Sequence, residues 1–150
     1  MGIEYSIIGH YERKKYFHET TKDVQKKLIS CLESNISPIL CFGETGEDKD
    51  ILKDLDTLLE DVSNIDFIIF AYEPLKVKEN LEVPEIQEQV EMIYHHLQDK
   101  YHSKPNIIYG GGVEQKDIND LLDNDFINGL LIGKISANIE KITKIITKVK

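Results

Sequence analysis

The residues able to do chemistry fall in five short stretches: Gly9-His10-Tyr11-Glu12-Arg13, Cys41-Phe42-Gly43-Glu44, Glu73-Pro74, Gly110-Gly111-Gly112 and Gly133-Lys134. Histidine and glutamate are the usual proton-transfer side chains, because surroundings move their pKa values toward neutrality. Glycine turns beside helix starts present backbone N–H groups to a phosphate. Each stretch also has a plainer reading. A glutamate after an apolar run is usually a solvated turn residue, and a histidine after a glycine usually caps a helix or fills a core. Converging on one rim, the five stretches describe chemistry on a small phosphorylated substrate.

Each stretch closes a short run rich in β-branched and aromatic residues. The runs are Ile3–Gly9, Ile36–Gly43, Asp66–Tyr72, Pro105–Gly112 and Asn128–Lys134. They are too short for helices and read as strands. Between them the apolar period lengthens. Val24, Leu28, Cys31 and Leu32 fall on one helical face, with Thr20 or Thr21 as the candidate N-cap. Leu52, Leu55, Leu58, Leu59 and Val62 form a second stripe, and Pro84 takes the first position of a third helix. Residues 115–124 form a short helix, and Ile139, Ile142, Ile145, Ile146 and Val149 mark the last one. A strand–helix alternation repeated in this way predicts an α/β fold with a parallel sheet, either open and doubly wound or part of an eight-stranded barrel. Both place functional groups at the C-terminal ends of the strands. No linker or charge block divides the chain, so residues 1–150 are expected to form a single domain.

A formal net charge of −9 argues against nucleic acid or an anionic membrane as partner, since phosphate backbones are bound by Lys and Arg. Cys31 and Cys41 form no CxxC pair and read as reduced thiols, with Cys41 in the core and the protein in the cytoplasm. No signal peptide or membrane-spanning apolar run is expected.

In order along the chain, IIGHYERKKYFHET, PILCFGET, AYEP, YGGGV and GLLIGK are similar to motifs of the triosephosphate isomerases: GHSERR, CIGE, AYEPVWAIGTG, YGGSV and DGFLVGG. The resemblance covers essentially the whole chain. It implies a partial TIM (β/α)8 barrel of about five βα units. It also implies cofactor-free, metal-free interconversion of D-glyceraldehyde 3-phosphate and dihydroxyacetone phosphate, a step of glycolysis and gluconeogenesis. By the motif match Glu73 is the base and His10 the electrophile, an arrangement for which this family is itself the reference case. Glu12 matches an acid supporting the histidine, with Arg13 as its structural partner. Gly112, Gly133 and Lys134 match the phosphate-binding positions, and Pro74 begins the lid. The family is homodimeric.

The departures shape the expectation. The lid, Leu75–Val83, contains no glycine; Lys134 stands where the family has glycine, Gly112 where it has serine, and Tyr11 where it has serine. Only nine residues precede His10, so the family's first three βα units, its Asn-x-Lys element and its dimer-interface loop are missing. Five units cannot close an eight-stranded barrel, and two edge strands would stay open. The expectation is the C-terminal part of a divergent member, poorly active alone and able to pair with an N-terminal complementing chain. The alternatives are a non-enzymatic, degenerate sugar-phosphate-binding relative, or another sugar-phosphate chemistry, against which the His10–Glu73 pair argues. Among the remaining polar residues, Glu44 reads as a structural acid, and His95 and His96 as surface residues rather than metal ligands. His18 and His102 show no partner pattern, and the lysines of residues 141–150 read as a solvated face.

Overall fold

The computed structural model describes residues 2–43, 51–74 and 81–147. Five parallel strands lie side by side in chain order: β1 (Tyr5–Ile8), β2 (Ser37–Phe42), β3 (Ile69–Tyr72), β4 (Asn106–Tyr109) and β5 (Gly129–Leu130). Among the described residues six α-helices connect or follow them: α1 (Tyr11–Phe17), α2 (Thr21–Glu33), α3 (Ile51–Leu58), α4 (Val83–Tyr101), α5 (Ile118–Leu122) and α6 (Ile139–Ile146). The sheet is open, with β1 and β5 at its edges.

The strand register sorts the side chains. Ile8, Leu40, Phe70 and Ile107 share one face with Phe42, Tyr72 and Tyr109, and all seven are buried in the core with Val24, Leu28, Val90, Ile93 and Leu97 of the helices. The opposite face carries Tyr5 and Ile7, 56% and 54% exposed, and the half-buried Ile39, Ile69 and Ile108. All the core helices therefore cover a single face, as in the wall of a partial barrel rather than a doubly wound sheet.

Local chemistry sets the boundaries. Thr20 is the N-cap of α2: its hydroxyl accepts from the Asp23 N–H at 3.2 Å, and the Asp23 carboxylate accepts from the Thr20 N–H at 3.0 Å, a reciprocal capping box. Glu82 and Glu85 form a second box at α4, which Val83 opens, so Pro84 is its second residue rather than its first. The strand β5 ends at Leu130, shorter than the expected strand over Asn128–Lys134; one more bond to β4 follows, from the Leu131 N–H to the Tyr109 carbonyl at 2.8 Å, and Lys134–Ala137 forms a 3-10 helix. The helix α1 has no counterpart in the periodicity reading. None of its residues is buried, so it presents no apolar stripe to detect. Among the described residues no helix is long and apolar enough to cross a membrane.

Candidate active site

Glu73 follows β3 directly. Its N–H donates to the Phe42 carbonyl at 2.7 Å, extending the ladder by one bond, and its side chain lies on the face opposite the helical core. The carboxylate is buried, 8% exposed, and meets His10 Nε2 at 3.2 Å. The Tyr11 N–H and the Cys41 thiol also donate to it. Burial raises the Glu73 pKa above the ordinary carboxylate value, while His10, the two hydrogen bonds and Lys14 act in the other direction without cancelling it.

His10 is delivered by a constrained turn. Gly9 has φ +72, and a Cβ there would meet the Cys41 carbonyl oxygen at 2.9 Å, so only glycine fits between β1 and the histidine. His10 is the N-cap of α1, yet its side chain makes no capping bond, which leaves the imidazole to face Glu73. Its ring also lies 5.0 Å from that of Tyr11.

Other expected residues fall differently. Glu12 Oε2 is 3.9 Å from His10 Nδ1, beyond hydrogen-bond length, and its side chain is 57% exposed. Arg13 does not pair with Glu12. It donates to Glu19 at 3.2 Å, because neighbours in a helix diverge around its axis. Glu19 is buried and also takes an ion pair from Lys27. Burial alone would raise the Glu19 pKa, but Lys27 and Arg13 outweigh it and hold it down.

Gly112 sits exposed after β4 with φ +75, and its N–H turns back to the Gly110 carbonyl at 3.1 Å. That N–H is therefore occupied within the turn rather than offered outward. Gly133 and Lys134 are exposed after β5, on the same rim as Glu73. The Tyr109 hydroxyl donates to the Gly111 carbonyl at 2.8 Å and braces this turn. A cleft of about 110 Å³ borders Gly112, but its charged lining is mainly acidic (Glu82, Glu114 and Asp117 beside Lys116), which does not suit an anion. Glu44 and lid residues 75–80 lie outside the described residues.

Two groups escaped the sequence reading. Cys41 is buried as expected, but on the Glu73 side of the sheet. Burial beside that carboxylate pushes the thiol pKa up, so it remains a protonated donor. Lys14, on the undetected α1, is half-buried among Asp54, Cys41, Glu73 and Glu19. Burial lowers its pKa, and those neighbours act against the fall. His96 is likewise no free surface residue: its Nε2 lies 2.8 Å from Asp56 on α3. His95 is half-exposed, 3.7 Å from Glu91.

A histidine facing a buried carboxylate of raised proton affinity has the groups that proton transfer needs, and the chain that carries it is similar to known proteins. Residues 1–149 match the family model described as triosephosphate isomerase. The chain is 35% identical to the triosephosphate isomerase of Wigglesworthia glossinidia brevipalpis, over 99% of this chain and 65% of that protein. It is 36% identical to that of Mycoplasma genitalium, over 93% and 62%, and 31% identical to that of Aquifex aeolicus, over 97% and 65%. The chain thus spans less than two thirds of the length of these relatives. With its parallel βα architecture and a match along nearly all its length, the chain belongs to the triosephosphate isomerase family.

Proposed function

We propose that this chain supplies the proton-transfer half of a triose-phosphate isomerase site, interconverting D-glyceraldehyde 3-phosphate and dihydroxyacetone phosphate. The observation that carries the reading is the 3.2 Å approach of His10 Nε2 to the buried Glu73 carboxylate. With substrate between them, Glu73 removes the proton from the carbon beside the carbonyl and returns it to the neighbouring carbon. His10 hydrogen-bonds the two oxygens, where charge develops. The raised proton affinity of Glu73 suits a base that must hold a carbon-derived proton briefly. Glu12 supports the histidine from its solvent side. Gly133 and Lys134 receive the phosphate, and Gly112 joins them once its N–H leaves the Gly110 carbonyl.

The uncovered face bearing Tyr5 and Ile7 favours a second reading, in which the isolated chain binds a sugar phosphate without turnover. An isomerase assay with glyceraldehyde 3-phosphate separates the two. Turnover abolished by Glu73→Gln supports the isomerase. Binding of dihydroxyacetone phosphate without turnover, in a chain with a folded circular-dichroism spectrum, supports the binding reading.

A further inference from the structure

After Tyr72 the backbone of β3 turns across the end of β2, and the crossing point is Gly43. A Cβ built on Gly43 would overlap the Glu73 carbonyl oxygen outright, while lying 2.6 Å from the Glu73 carbonyl carbon and 3.3 Å from the Pro74 nitrogen. Gly43 is buried, and its φ lies outside the left-handed region. It is glycine for space alone. On the other side, a Cβ on Gly110 would stand 3.0 Å from the Glu73 Cγ and 3.3 Å from the Leu131 Cβ. The Gly110 N–H donates to the Tyr72 carbonyl at 2.9 Å, which fixes the distance between this second wall and the end of β3.

We propose that Gly43 and Gly110 are positioning residues, two walls of a slot that sets where the Glu73 carboxylate stands. Gly43 acts on the backbone and Gly110 on the side chain. The inference deepens the reading of Glu73 as the base and rests on it for its functional meaning. The physical argument is one of give. The atoms facing Gly43 belong to the Glu73–Pro74 peptide unit, which lies between the Glu73 N–H, bonded to the Phe42 carbonyl at 2.7 Å, and the proline ring, so added volume must move the backbone itself. The atom facing Gly110 is a side-chain methylene, which moves with a small torsion. Displacing the Glu73 peptide draws its carboxylate away from His10 Nε2, now 3.2 Å distant.

The test uses the full chain with the ring nitrogens of His10 as reporter, observed by 15N NMR and assigned with His10→Gln. Gly43→Ala is expected to shift the His10 ring signals strongly and Gly110→Ala to shift them less. Leu40→Val, which thins the helical core without touching Glu73, leaves them in place. In a chain that turns over substrate, Gly43→Ala lowers kcat about 100-fold with KM little changed, the result of moving a base by roughly 1 Å. A folded Gly43→Ala chain with wild-type His10 signals overturns the proposal. Should Gly43→Ala lose its folded spectrum, Gly110→Ala carries the test, and unchanged His10 signals there overturn it. Shifted signals in a chain without turnover support the slot and overturn the isomerase reading instead.

Discussion

Two histidine–carboxylate pairs stand on opposite sides of this sheet. His10 meets Glu73 at 3.2 Å beside the strand ends, and His96 meets Asp56 at 2.8 Å across α4 and α3. Each carboxylate accepts several hydrogen bonds. Asp56 takes them from His96, from Tyr101 at 3.0 Å and from Lys100 at 2.7 Å. Their proton affinities nevertheless move apart. Burial raises the Glu73 pKa more than its partners lower it, whereas at Asp56 the same desolvation is outweighed by donors that include a lysine. Glu73 is 8% exposed and Asp56 26%, and among the described residues a lysine makes a direct cationic contact with Asp56 but not with Glu73. Residue type alone therefore does not separate a candidate base from a structural clamp. The balance of desolvation against charge does.

The largest expected contrast is in turnover. In an assembly with isomerase activity, Glu73→Gln should lower kcat by roughly 100- to 10,000-fold, the range for losing a general base. Asp56→Asn should leave kcat unchanged in the same steady-state assay. Comparable losses in both variants would remove the distinction.

Stability should show the reverse. Asp56→Ala removes an acceptor shared by three donors and is expected to cost about 2 kcal/mol in urea unfolding. His96→Ala, which removes one of those donors, should cost about 1 kcal/mol. Glu73→Gln should instead raise Tm slightly at neutral pH, because charging a buried carboxylate opposes folding. A fall in Tm would show that its two hydrogen bonds and its contact with His10 outweigh burial.

The pH dependences follow with opposite signs. The Asp56 pKa is lowered on folding, so its stabilisation is present above its unfolded value of about 3.9 and is lost as pH falls through the lower folded value. The Glu73 pKa is raised, so its contribution is most favourable below its unfolded value of about 4.3 and is lost as pH rises through the folded one. In the proposed reaction the ionised form is the base, so the acid limb of kcat/KM should lie above about 4.3 and should be absent in Glu73→Gln. A limb at the ordinary glutamate position would mean that burial does not govern this carboxylate.

The five strands and the helices with buried apolar stripes were legible in the sequence, because burial on a strand or helix leaves a period in the residue pattern. The helix α1 was not, since Tyr11–Phe17 bury no apolar side chain. The Arg13–Glu19 pair was missed for a related reason: adjacency to Glu12 suggested a partner, but helical geometry directs the two side chains apart. The helices of the Asp56 clamp were legible, but their contact was not. It joins positions forty residues apart, and no local pattern encodes such a contact.

The sequence by itself determined the alternation of elements, the family and the order in which His10, Glu73 and the glycine turns follow their strands, because local pattern and covalent order carry that information. Tertiary structure alone decided which of these groups meet. It turned the Cys41 thiol toward Glu73, folded the Gly112 N–H back on Gly110, and passed the Glu73 peptide over Gly43. Proton affinity belongs to that second category, because it depends on the water excluded and the charges brought near, and both exist only once distant segments pack.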